Sequence, residues 1–106
     1  MHPKPDPKTP FPEVRELIRT ARAYIAGEVH FSQVCSAAWT LAEATRYYSG
    51  DPTLKKYADE WAAMATRAWP EMARVEKLTE DEFRRWIQAQ LIVFEPWANK
   101  APQACG

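Results

Sequence analysis

The sequence predicts an all-α fold, an antiparallel four-helix bundle, on three observations. Apolar residues recur at spacings of three and four through four separate stretches, the period of a helix with one buried face. Only three glycines occur, and no Asn-Gly or Asp-Gly pair stands between alternating apolar residues, so hairpin signals are absent. A chain of 106 residues with 46% hydrophobic and 12% aromatic side chains is long enough and apolar enough for one core without a disulfide or metal staple.

The first twelve residues hold five prolines, which remove backbone donors and fix φ near the polyproline value. Residues 1–11 therefore read as a flexible proline-rich arm, and residues 12–106 as a single helical domain. Pro7 to Pro10 fits P-x-x-P, though a solvated leader explains it as well. Pro12 suits the first turn of helix one, expected to run to Ala26 with Val14, Leu17, Ile18, Ala21, Tyr24 and Ile25 on its buried stripe. Arg15, Arg19 and Arg22 form a ridge on its other side, which reads as a solvated face or a set of salt-bridge donors. Gly27 then fits the left-handed residue that ends a helix.

Ser32 is expected to cap helix two, in which Val34, Ala38, Leu41, Thr45 and Tyr48 share a face before a stop at Gly50. The run FSQVCSAAWTLA, residues 31–42, carries no charged side chain. A helix of that kind is either central in its bundle or covered by a partner. Trp39 falls off the core stripe beside Ser36, Thr40, Glu43 and Tyr47, so this outer face reads either as a second packing layer or as an interface.

Asp51-Pro52 is a cap followed by proline at the first helical position, and so short a connection forces helices two and three to lie antiparallel. Leu54, Tyr57, Ala58, Trp61, Ala65, Ala68 and Trp69 supply the buried stripe of helix three, with Lys56, Asp59, Ala63 and Arg67 outside. Pro70 kinks or splits this helix, and Met72, Val75 and Leu78 predict a turn or two beyond the break. In LTEDEF, residues 78–83, Thr79 and Glu82 form a capping box, with Leu78 and Phe83 as its hydrophobic staple. Helix four starts there, buries Phe83, Ile87, Leu91 and Phe94, and is expected to close at Glu95-Pro96. LIVF at 91–94 is apolar all round, which predicts that this end is deeply packed or covered by the tail through Trp97. The segment NKAPQACG is expected to be irregular.

Fourteen basic side chains balance fourteen acidic ones, so the strongly basic footprint of a nucleic-acid binder is missing. Charge-free stretches are too short to span a bilayer, and MHPKPDPKTP has no apolar signal region, which predicts a cytoplasmic protein without membrane contact. Cys35 and Cys105 stand far apart and outside any C-x-x-C arrangement, so both are expected as free thiols, Cys35 as a small buried hydrophobe.

Catalysis by this chain alone is not expected. The sequence holds no G-x-S-x-G, P-loop, G-x-G-x-x-G or H-E-x-x-H. His2 and His30 offer no metal spacing, and His30 reads as a surface or capping residue; no cofactor is implied. Asp59 and Glu60 are sequence neighbours pointing about 100° apart on a helix, so they do not converge on one substrate atom. A neutral helical protein without a catalytic constellation reads as a binding module.

LIRTARAYIAGEVHFSQVCSAAW resembles the beginning of small bacterial toxin-immunity proteins, both colicin-type and those of contact-dependent growth inhibition. In these a first amphipathic helix ends in an aromatic-aliphatic-x-Gly-Glu pattern followed by an apolar residue, a short turn and a phenylalanine entering helix two. Tyr24, Ile25, Gly27, Glu28, Val29 and Phe31 carry the pattern here, and WAAMATRAWPEM and DEFRRWIQAQL extend the likeness loosely over residues 14–91. The resemblance implies a cytoplasmic antitoxin that binds the C-terminal domain of a cognate toxin and blocks its active site, the toxin often being a nuclease and frequently one acting on transfer RNA.

An inhibitor of a basic nuclease cleft offers carboxylates with aromatic anchors. Residues 1–27 carry five basic and three acidic side chains, leaving nine basic and eleven acidic over the remainder, a mild acidity only. On these grounds the expected interface is the outward face of helix two, with Trp39 and Tyr47 as anchors and Glu43 as a carboxylate, joined by Asp59 and Glu60. The acidic first turn of helix four, Glu80 and Asp81, is the second choice, although carboxylates there are also favoured by the helix dipole. The alternative class is a homo-oligomeric helical scaffold or regulator, a homodimer burying helix two and LIVF between identical subunits.

Overall fold

The computed structural model describes residues 12–48, 52–72 and 76–100. The expected arm at 1–11, the stop at Gly50, the cap at Asp51 and the tail with Cys105 lie outside the described residues, as do the side chains of Tyr47 and Tyr48. Four helices follow one another: α1 (Pro12–Ile25), α2 (Phe31–Tyr48), α3 (Pro52–Ala68) and α4 (Glu80–Lys100). No strand occurs among the described residues. α1 packs on α2, α2 on α3, α3 on α4 and α4 on α1, closing an all-α four-helix bundle around one core.

That core is built where the apolar periodicity places it. Leu17, Tyr24, Leu41, Trp61, Phe83 and Phe94 are fully buried, each contributing about 1.5–3 kcal/mol by removal from water. Trp61 is the largest of them, edge-on to Trp86 with ring centroids 4.9 Å apart and 5.8 Å from Phe94. Its indole N–H has no hydrogen-bond acceptor.

α1 ends as a Schellman motif. Gly27 takes φ +80°, the amide of Glu28 donates to the carbonyl of Ala23 at 2.8 Å, and that of Gly27 donates to Tyr24 at 2.9 Å. The cap of α2 differs from expectation. His30, not Ser32, precedes the first helical residue, and its Nδ1 accepts the backbone N–H of Ser32 at 3.2 Å. The Ser32 hydroxyl lies 2.9 Å from the same nitrogen. An imidazole whose Nδ1 lone pair faces the helix start does for the free N–H groups what a serine oxygen does elsewhere.

α2 packs against both α1 and α3, and the apolar side chains of its charge-free run turn towards them while Gln33, Ser36 and Thr40 stay exposed. Val34, Cys35, Ala38 and Leu41 are completely buried. Thr45, also buried, satisfies its hydroxyl by donating to the carbonyl of Ala42 at 2.8 Å.

α3 stops at Ala68, two residues before Pro70, and residues 69–72 form a turn in which Met72 N–H donates to Trp69 at 3.0 Å. The expected further helical turn is absent from these residues, and residues 73–75 lie outside the described ones. Arg67, expected outward, is half-buried and donates through Nε to the carbonyl of Glu76 at 2.8 Å, while its own carbonyl accepts from Leu78. Glu76 has φ +53°.

The α4 start is as expected: Thr79 Oγ1 accepts from the Glu82 amide at 3.1 Å and a Glu82 carboxylate oxygen accepts from the Thr79 amide at 2.9 Å. The α4 end is not. The helix continues through Pro96 to Lys100, so the expected stop at Glu95-Pro96 and the expected irregularity of Asn99 and Lys100 are both corrected. A proline inside a helix costs on the order of 3 kcal/mol. Beyond it, Ala98 is buried and Trp97 lies against Tyr57 and Phe94, so the tertiary contacts of the last turn offset the lost backbone bond. The packing expected for LIVF fails in its middle: Ile92 and Val93 are 75% and 54% exposed, and Trp97 does not cover them. Among the described residues no helix is long and apolar enough to cross a membrane.

Candidate partner-binding surface

The seven residues that the sequence singles out for partner binding fall at two ends of the bundle. Because the helices alternate in direction, the C-terminal half of α2 and the N-terminal half of α3 share one end, which holds Glu43, Asp59 and Glu60. The first turn of α4, with Glu80 and Asp81, sits at the other. Tyr47 is in α2, but its side chain is not among those described.

Trp39 is not an outward anchor. Packing against α3 holds it half-buried, with Nε1–H donating to the Thr66 hydroxyl at 3.3 Å and its ring 5.6 Å from Trp69. Trp69 in turn meets Phe31 at 5.7 Å, so these three rings form a secondary aromatic layer across the α2–α3 seam. Its physical effect is to lock those two helices together. Ser36, Thr40 and Glu43 remain as the solvent-facing strip of α2.

Glu43 and Asp59 are solvated carboxylates in loose ion pairs. Glu43 is 3.3 Å from Arg46, and Asp59 is 3.4 Å from Lys55, with side-chain exposures of 57% and 59% for the two acids. Pairs of this kind are worth about 0–1 kcal/mol each, so either acid can exchange its cation for a partner's at little cost. Glu60 is exposed beside them, and Asp59 and Glu60 line a shallow depression of about 500 Å³ with Pro52, Lys55, Lys56 and Ala63. The sequence reading left the two lysines out of this site. Their i, i+4 relation to the acids was the available signal.

Glu80 has structural work to do. Its carboxylate accepts from the Tyr24 hydroxyl at 3.0 Å and lies 3.9 Å from Arg84, whose guanidinium sits 5.0 Å above the Tyr24 ring. Burial, and then the Glu80 carboxylate, push the Tyr24 phenol up to about 12. This cluster ties α1 to α4. Asp81 is exposed and outside that cluster. The α1 arginines are drawn into salt bridges, Arg19 with Glu16 at 2.5 Å and Arg22 with Glu95 of α4.

Cys35 is a buried free thiol, its Sγ 3.6 Å from the carbonyl of Ala65, and burial pushes it up to about 12. Among the described residues no three His, Cys, Asp or Glu side chains are grouped as metal ligands. No known protein family, curated protein or solved structure matches this chain. The likeness of residues 14–91 to immunity proteins therefore rests on the sequence alone.

Proposed function

We propose that this chain is an immunity protein, acting in the cytoplasm by binding rather than by catalysis, that occludes the active site of a cognate bacterial toxin domain. The toxin class that fits best is a nuclease, a transfer-RNA nuclease among them, of a colicin-like or contact-dependent growth inhibition system. The observation that carries the reading is the set of loosely paired, solvent-facing carboxylates Glu43, Asp59 and Glu60 on two helices locked together by the Trp39–Trp69–Phe31 layer. A phosphate-binding cleft is lined by lysine and arginine, and carboxylates carried on two helices already fixed against each other meet it with little ordering of the backbone.

The test is co-expression with the C-terminal domain of a large secreted protein encoded immediately upstream. Cells carrying that domain alone should stop growing, and this chain should restore growth and co-purify with the domain. Failure to restore growth rejects the function. Glu43→Ala/Asp59→Ala/Glu60→Ala in a chain that retains its helical circular dichroism should weaken the complex at least tenfold. Unchanged affinity rejects the surface while leaving the function standing.

The apolar side chains of the α2 run are taken up within the chain, which favours this reading over a homo-oligomeric scaffold built on that helix.

A further inference from the structure

α4 presents one face that the bundle does not use. Arg85, Gln88, Ala89, Ile92, Val93 and Pro96 are all exposed, and four of them, Arg85, Ala89, Ile92 and Pro96, fall on one strip at intervals of four, three and four. Three features make this strip different from an ordinary solvated helix surface. Ile92 and Val93 are among the few large apolar side chains that stand largely in water. Pro96 has no N–H to give the carbonyl of Ile92 four residues earlier, which leaves a backbone acceptor on the same face without its helical donor. Arg85 forms no salt bridge among the described residues, and it reaches Glu82, one turn before, only through its field.

The spacing 85, 89, 92, 96 is that of a coiled-coil seam, and its sequence is complementary to its own reverse. In an antiparallel pair of α4 helices whose two-fold axis passes level with Gln90 and Leu91, Ala89 of each copy lies opposite Ile92 of the other, and Arg85 lies level with Glu95 and Pro96. The inner layers set a small side chain against a large one, so the helices approach closely and cover Ile92. The outer layers attract, because an arginine meets a glutamate at each end. Glu95 already receives Arg22 of its own chain, and a carboxylate has lone pairs for a second guanidinium. Arg85 also brings spare N–H donors to the end of the strip where Pro96 leaves the Ile92 carbonyl open. A parallel pair would set Arg85 against Arg85 and gain none of this.

We infer that α4 mediates self-association of this chain as an antiparallel two-fold pair, with Ile92 of each copy against Ala89 of the other and Arg85 of each against Glu95 of the other. One helix face buries less than the roughly 1,000 Å² that a stable interface needs, so the pair forms reversibly and at high concentration. The inference uses none of Glu43, Asp59 and Glu60, so it stands or falls apart from the toxin reading.

Sedimentation velocity of the full chain, from micromolar to millimolar concentration, should show a weight-average mass rising from monomer towards dimer. Arg85→Glu should hold the chain at monomer mass through that range, and Arg85→Glu/Glu95→Arg should restore the rise, which a merely nonspecific apolar contact would not do. In a Cys35→Ala/Cys105→Ala background, oxidation of a mixture of Ala89→Cys and Ile92→Cys chains should give a covalent heterodimer in excess of what either variant forms alone. A chain that stays monomeric throughout overturns the inference, even if Ile92→Glu then weakens toxin binding. So does a dimer whose mass is indifferent to Arg85→Glu.

Discussion

At the scale of single residues, the buried acids set the alkaline limit. The Cys35 thiol is raised from 9.0 to about 12 by burial, and the Tyr24 phenol from 10.0 to about 12 by burial and by Glu80. A group raised in the folded state stabilises fully below its unfolded value, and the contribution is lost as pH rises through the folded value. Stability should therefore decline from pH 9.0 towards 12. Thermal midpoints followed over that window should fall less steeply in Cys35→Ala and in Tyr24→Phe than in the natural chain. Glu82 works the other way, its carboxyl held below the ordinary range first by the backbone N–H of Thr79 and then by the Thr79 hydroxyl. Its contribution is present above the ordinary 4.5 and lost as pH falls through the lower folded value. The midpoint deficit of Glu82→Ala should accordingly shrink on acidification and vanish in strong acid. Gly27 gives a cleaner case. A Cβ there would touch nothing within 4 Å, so the cost of Gly27→Ala is that of φ +80° alone, about 1–2 kcal/mol, measurable as a shift in urea midpoint.

At the scale of elements, what was legible and what was not divide along the range of the interactions. The capping box at Thr79 and Glu82 and the stop at Gly27 are read to the residue, because both are made from bonds within a few positions of chain. The α2 cap is legible only in part: His30 reads as a surface or capping residue, but Ser32 is preferred at the helix start because a serine accepts always and the Nδ1 of an imidazole only in one tautomer. α4 passing through Pro96 escapes such a reading for another reason: Trp97 is held against α3 by Tyr57, and no local pattern reports that contact. Pro96→Ala restores the donor for Ile92 and should stabilise the chain by about 1–2 kcal/mol after allowance for the more flexible unfolded state. Trp39 reads from the sequence either as part of a second packing layer or as an outward anchor, and its contacts with Thr66 and Trp69 follow the first, because α2 has neighbours on two sides. Of the candidate surface, the carboxylates Glu43, Asp59 and Glu60 are legible as exposed positions and a second packing layer at Trp39 as one of two readings, but its partners Trp69 and Phe31 are not, because they come from beyond the helix that carries Trp39 or from its far end.

At the scale of the molecule, the largest fully buried side chain ties two helices together. Trp61 of α3 touches Trp86 and Phe94 of α4, and Phe94 continues to Tyr57 and Trp97. Trp61→Ala should cost about 3–5 kcal/mol, a large part of the stability of a domain this size, and calorimetry should show either a much lower transition or none. The aromatic layer at the opposite seam, Phe31, Trp39 and Trp69, is only half-buried, and removing one of its rings should loosen α2 against α3 without unfolding the whole.

The enclosure of α2 between α1 and α3 has a kinetic corollary. Amide protons of Val34 through Thr45 should be the last to exchange with deuterated water, reached only by global opening. Those around Pro96, where the ladder already lacks a rung, should exchange first. The buried face of a helix that must wait for the whole molecule to come apart tolerates few substitutions, so variation that retunes recognition has to accumulate on its exposed strip at Ser36, Thr40 and Glu43 and on the outer strips of its neighbours.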